Sequence, residues 1–462
     1  MGPVSRRLLA LVAAAGLLST LVPVVAASSP ATFGTPTADS TFGTGVDFGQ
    51  PVTVGTPIGR VELLLTLADA IGPTVIDVPN PPLAGASTLT YRLDTSGTSH
   101  MIPNTPIVAR WRLFSAADPT AVALGPEVHV VYADDRFQWK TVSGDLVRVH
   151  WYRGSAAFGA KALKLGEDEV RHTSELLGVT ETRPADFFVY ADQDKFYDAL
   201  GPGAHENVAG TAFADIRTLL GLIPPDQIDD PLVAVRIPHE FVHLVFDTAS
   251  KNPYHDPTHW LNEGLAVYQS EGYGASDRGM VEDAARSGTL IPLDGLTGSF
   301  PNGDAFFLAY AEAVSAVDYM IRTYGSDALV TLIRSYAAGR TDDEAFSAAL
   351  GIDMTAFATA WSSELKAKTP TKYGPQPAPP GPVPTAWTGE AVGGAVASMS
   401  PGSGVAGSPA SARTAAPTGT ANDGIGTGVS GSLIGFLAIV IVVVVVVIVN
   451  GRRRRGPAGD AP

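Results

Sequence analysis

The stretch His239-Glu240-Phe241-Val242-His243, followed by Trp260-Leu261-Asn262-Glu263-Gly264-Leu265-Ala266, places the tightest demand on how this chain folds. Two histidines four residues apart lie on one face of a helix. For Glu263 to share a site with them, a second helix must return past the first. The stretch Asp247 to Asp256 is long enough to turn the chain back. Pro238 stands one residue before His239, and proline suits the first turn of a helix, so the first helix is predicted to open there. Asp256-Pro257-Thr258 predicts the cap of the second.

Those residue types in that pattern point to metal chemistry. Two imidazoles and a carboxylate close three sides of a tetrahedral zinc site and leave the fourth to water. Glu240, between the histidines, is placed to take a proton from that water. The 462-residue chain has no cysteine, which excludes disulfides, thiolate ligands and cysteine catalysis, so metal must be held by His and carboxylate. The metzincin pattern asks for a glycine at 246 and a histidine at 249, where Phe246 and Ala249 stand. His255 and His259 read as loop residues, since three ligands suffice. Asp247 shares a face with His243 and is either a residue that orients that ligand or a solvated carboxylate. The net charge of −15 argues against nucleic acid as a partner.

The rest of the chain divides by composition. Residues 1–27 carry Arg6 and Arg7, an apolar run from Leu8 and a small-residue end at Val25-Ala26-Ala27, the layout of a secretory signal peptide. Residues 28–145 contain short β-type segments, such as Val61 to Leu65, Leu89 to Leu93 and Ile107 to Leu113, between Gly, Pro, Ser and Asp clusters, and predict a small all-β sandwich. From 146 to 369 strands give way to helices, expected at Ala156 to Leu177, Ala191 to Leu200, 305–324, 326–337 and Met354 to Leu365, which predicts an α+β domain. Residues 370–430, rich in Pro, Gly, Ala, Ser and Thr, read as a disordered stalk. Leu433 to Val449 is an apolar run about 26 Å long as a helix, enough for one span at 431–450. Arg452 to Arg455 then place the tail, 451–462, in the cytoplasm and the bulk of the chain outside.

HEFVH followed by WLNEGLAVY resembles the gluzincin zinc peptidases, which include thermolysin and the aminopeptidase N family, and within them the bacterial peptidase MA-like family. The resemblance covers roughly residues 130 to 366. It implies an Ig-like fold for the all-β sandwich at 28–145 and, after it, a thermolysin-like domain with zinc held by His239, His243 and Glu263, and Glu240 as general base. Aminopeptidase-type relatives stabilise the oxyanion with a tyrosine that opens a downstream helix; Tyr310 is the candidate here, though it also falls on an apolar stripe with Phe306, Val314 and Val317. The pattern departs at Gly210-Thr211-Ala212-Phe213-Ala214: Phe213 stands where aminopeptidases carry the glutamate that grips a free amine. That argues against a required free N-terminus, while the strand can still pair with an extended peptide.

The sequence therefore predicts a single-pass zinc metallopeptidase of a bacterial cell membrane, its catalytic domain extracellular, acting on extracellular or cell-envelope polypeptides. Two other readings are a surface adhesion or scaffold protein keeping an inactive zinc-peptidase fold, against which the intact Glu240 stands, and a zinc hydrolase acting on a non-peptide bond.

Overall fold

The computed structural model describes residues 31–367 apart from 69, 203–207, 253–254 and 302, and they form two compact units that divide between Asp135 and Arg136. The expected signal peptide, stalk, membrane span and tail lie outside the described residues. Among the described residues no helix is long and apolar enough to cross a membrane.

The first unit is all β. Its strands are β1 (Ala31–Phe33), β2 (Thr37–Thr41), β3 (Gly45–Val54), β4 (Ile58–Leu67), β5 (Thr74–Val78), β6 (Gly85–Asp94), β7 (Thr105–Ser115) and β8 (Val122–Tyr132). Every pairing is antiparallel. One sheet sets β3 against β1, β2 and β6, and the other runs β5-β4-β7-β8. The alternation of apolar and polar residues expected of half-buried strands is clear in β7, where Ile107, Ala109, Trp111 and Leu113 are buried and Arg110 and Arg112 face outward. They share a core with Val46, Phe48, Val52 and Val54 of β3. Each such large side chain contributes roughly 1.5–3 kcal/mol by leaving water.

The second unit begins earlier than the expected 146. Strand β9 (Lys140–Ser143) pairs antiparallel with β10 (Val147–Trp151), and so belongs to the sheet of the second unit. A strand's own period marks it as a strand but not which sheet it joins. The parallel centre of that sheet comes from β10, β11 (Ala185–Tyr190) and β13 (Thr218–Leu222), with β12 (Gly210–Phe213) at the far edge; the order is β12-β13-β11-β10-β9. Helix α1 (Ala156–Leu177) is the crossover between β10 and β11. It is capped by Ser155, whose hydroxyl accepts from Phe158 N, and it ends at Gly178 with φ 61°, a left-handed position suited to glycine. Helix α2 (Gln193–Leu200) follows β11.

After the sheet the chain is helical: α3 (Pro231–Ser250), α4 (His259–Ser270), α5 (Ala275–Ser287), α6 (Asp304–Tyr324), α7 (Ser326–Ala337), α8 (Asp342–Leu350) and α9 (Met354–Glu364). The expectation that α3 opens at Pro238 is wrong. Asp230 caps the helix, accepting from Leu232 N at 2.8 Å, and Pro231 takes the first position, so Pro238 sits inside it. A proline there leaves the carbonyl of Ala234 without its helical partner, and Ala234 is exposed to solvent. Helix α4 presses closely on α6: a Cβ on Gly264 would lie 2.4 Å from the Ala313 carbonyl oxygen. This contact brings the buried face of α4 against the N-terminal half of α6.

Candidate active site

Helix α3 presents His239, Glu240 and His243, all buried, to α4. From α4 comes Glu263, fully buried, and from α6 comes Tyr310. His239 Nε2 and His243 Nε2 are 3.2 Å apart, and Glu263 Oε2 lies 3.5 and 3.6 Å from them. Donors about 2.0–2.2 Å from a tetrahedral zinc stand about 3.3–3.6 Å from one another, so these three converge at the spacing such an ion requires. Among the described residues they are the one group of three or more His and carboxylate side chains so gathered, with all donor atoms within 4.8 Å.

The protonation states suit metal binding. Burial pushes the His239 imidazole down to about 3 and lowers His243 as well, so both rings are neutral near pH 7. His243 Nδ1 lies 2.9 Å from Asn262 Oδ1. An amide oxygen only accepts, so Nδ1 holds the proton and Nε2 keeps its lone pair. Burial raises the Glu263 carboxyl, with His243, His259 and the Tyr310 hydroxyl opposing. It raises Glu240 further, helped by the charge of Glu263 and opposed by Arg236. Neither Glu263 oxygen, nor Glu240 Oε1, accepts a hydrogen bond of good geometry. Two buried carboxylates left this way are costly unless a cation neutralises them. Two neutral imidazoles and a carboxylate, with no thiolate, form a donor set of the kind zinc takes.

The other side chains are placed by packing. Gly210, at the start of the edge strand β12, makes room for the base: a Cβ there would lie 2.5 Å from Glu240 Oε1. Tyr310 packs its ring among Val267, Val314 and Phe306 and beside Phe300, while its hydroxyl meets the Glu263 carboxylate. The ring thus packs as its apolar stripe predicts, and the hydroxyl stands at the site. Burial and the charges of Glu263 and Glu240 hold its hydroxyl well above its ordinary value, keeping it a donor.

Of the remaining histidines, His255 lies 3.2 Å from Asp342 and against the Tyr336 ring, with no part in this site. His259 is not a loop residue: it opens α4, and its Nε2 stands 3.6 Å from Glu263 Oε1. Asp247 lies 3.9 Å from Lys251, while the side chain on His243 is Asn262. Asn262, Arg236 and Gly210 were not singled out by the sequence reading. Arg236 had a signal, standing four residues before Glu240 on the same helix; Gly210 opens the stretch compared with the aminopeptidase strand, but its contact with Glu240 shows only in the fold.

Residues 166–367 match the family model of the Peptidase MA superfamily. No curated protein sequence matches the chain. Similar solved structures include an M1 zinc metallopeptidase from Deinococcus radiodurans, 14% identical, with 76% of this chain and 96% of that chain covered and a TM-score of 0.35. Another is an aminopeptidase N family protein from Idiomarina loihiensis, 10% identical, with 69% and 74% covered and a TM-score of 0.38.

Proposed function

We propose that this chain, whose residues 166–367 form a domain of the Peptidase MA superfamily, is a zinc metallopeptidase held at the outer face of a bacterial membrane and cutting polypeptides there. The observation that carries the catalytic part of the reading is the convergence of His239, His243 and Glu263 beside the buried carboxylate of Glu240.

In this reading His239, His243 and Glu263 hold the ion. When bound, zinc supplies Lewis acidity to water and to a substrate carbonyl. Glu240 takes the proton from the attacking water and passes it to the leaving nitrogen. Burial, with the charge of Glu263, raises its proton affinity, which favours its taking a proton. The Tyr310 hydroxyl donates to the carbonyl oxygen as it gains negative charge. Asn262 fixes the His243 ring. The edge of β12 away from β13 offers backbone groups to an extended substrate. Phe213 at its end supplies no charge for a free amine, which favours cleavage within a chain.

The address rests on sequence alone: the signal-like start, the apolar run Leu433 to Val449 and the four arginines after it. The test of the catalytic reading uses the full-length chain, measuring bound zinc and the cleavage of an unfolded protein, with Glu240→Gln as control. One zinc per chain and cleavage lost in the variant are expected. Zinc without cleavage of any peptide would remove the peptidase; no zinc after loading would remove the site. Alkaline extraction of membranes and protease shaving of intact cells test the address.

A further inference from the structure

One charged group beside the base is not used by this mechanism. Arg236 lies one helical turn before Glu240 on α3 and is half-buried. Among the described residues its hydrogen-bond acceptor is the Leu222 carbonyl at 3.3 Å, and its Nε is buried without an acceptor. Glu240 and Asp230 act on it only as charges at a distance. A guanidinium carries five donors in a planar fork that matches a carboxylate. Arg148 shows such a fork filled: it grips Asp186 with two bonds, at 2.7 and 2.6 Å.

Its position relates it to the substrate path. Leu222 ends β13, and its N–H bonds the carbonyl of Ala209, the residue before β12. Gly210, next in line, is the residue against Glu240. Arg236 and Glu240 thus lie against the same end of the β12–β13 hairpin. A helical turn advances about 5.4 Å and an extended peptide about 3.3 Å per residue. A peptide bond held at Glu240 therefore has a group one or two residues away within reach of the guanidinium.

We propose that Arg236 is a carboxylate receptor in the substrate cleft, taking an acidic group one or two residues from the scissile bond. The acid can be an Asp or Glu side chain or the substrate's own C-terminal carboxylate. The inference rests on the peptidase reading and gives it a substrate class: peptides that are acidic, or end, next to the cleaved bond.

The test uses the full-length zinc-loaded chain and fluorescence-quenched peptides in three forms: uncharged with an amidated end, the same with a free C-terminal carboxylate, and the same amidated with an internal Glu. At least one acid-bearing form is expected to be cleaved with a kcat/KM roughly tenfold to a hundredfold above the uncharged form, and which form wins identifies the source of the acid. In Arg236→Met that ratio falls towards one through KM, and Arg236→Lys retains part of it. Equal ratios in wild type and Arg236→Met overturn the proposal. So does an equal loss on all three peptides with a shifted pH profile, which would make Arg236 a tuner of Glu240.

Binding of the same peptides to Glu240→Gln, with and without Arg236→Met, is read by fluorescence anisotropy and needs no turnover. Acid-selective binding without wild-type cleavage sinks the peptidase reading alone. Cleavage without acid selectivity sinks this inference alone, and neither binding nor cleavage sinks both. If Arg236→Met melts early, Arg236→Gln and Arg236→Lys carry the comparison.

Discussion

The all-β unit and the candidate site treat buried carboxylates in opposite ways. In the sandwich Glu62 is buried, yet it receives Arg112 through both Nε, at 2.5 Å, and NH2, with Arg60 at 3.2 Å. The second unit, away from that site, does the same at Glu167, which accepts from Leu146 N and Val147 N at 2.6 and 2.9 Å and pairs with Arg171. At the candidate site Glu263 and Glu240 have no such partners of good geometry for three of their oxygens, and burial raises both carboxyls. The contrast separates charge that supports the fold from charge kept for function. Paired carboxylates stabilise the fold as they stand; those at the site are costly until a cation and a substrate complete them.

The widest separation between the two kinds of carboxylate is expected in catalysis. Glu240→Gln should lower kcat by roughly 10²–10⁴-fold while zinc stays at one per chain, because an amide keeps the shape but cannot take a proton. Loss of zinc in that variant would show that Glu240 builds the site rather than acting in it. Next comes Tyr310→Phe, which leaves the ring packed but removes the hydroxyl. A drop of about 10²-fold in kcat with little change in KM is expected if the hydroxyl serves the transition state. An unchanged kcat would return Tyr310 to packing alone.

The comparison can also be broken on stability. In metal-free protein Glu263→Gln should stabilise the second unit, since it removes a buried charge lacking good hydrogen bonds; with zinc bound the same change should destabilise it. Glu62→Gln should destabilise the sandwich by about 1–3 kcal/mol with or without zinc. Hydrogen-exchange protection, read separately in each unit, checks both. Equal signs for the two variants in metal-free protein would end the distinction drawn here.

The smallest effect concerns pH. Burial alone would raise the Asp186 carboxyl, but hydrogen bonds from His150 and Arg148 outweigh it and hold it below its ordinary 3.8. A carboxylate depressed in the folded state adds stability above its unfolded value and loses it as pH falls through the folded one. The urea midpoint of the peptidase unit should therefore fall on acidification below about pH 4, less so in Asp186→Asn. An identical acid loss in that variant would assign it to other groups.

Much of the site lies within single helices, and there the sequence is enough. The spacing of His239 and His243 puts both rings on one face of α3 whatever surrounds them, since 3.6 residues make a turn. The Trp260 to Ala266 segment likewise carries Glu263 on the buried face of α4. Strand and helix periods mark most elements for the same reason: the alternation in β7, or the run of α1 from its Ser155 cap to Gly178, is written in neighbouring residues.

What depends on contact between elements was not legible. Proline favours a first turn, but Asp230 and Pro231 start α3 sooner and the packing of the unit tolerates Pro238 inside it. That β9 joins the sheet of the second unit follows from its partner β10, not from its own residues. Asn262 acts on His243, Gly210 gives space to Glu240, and Tyr310 turns its hydroxyl to Glu263 only because α3, α4, α6 and β12 meet. The sequence by itself determined the helices that bear His239, Glu240, His243 and Glu263 and the faces on which they stand, because local periodicity sets direction within one element. Tertiary structure alone decided which groups stand beside them and which charges are left without a partner, because burial and distance are properties of the packed whole.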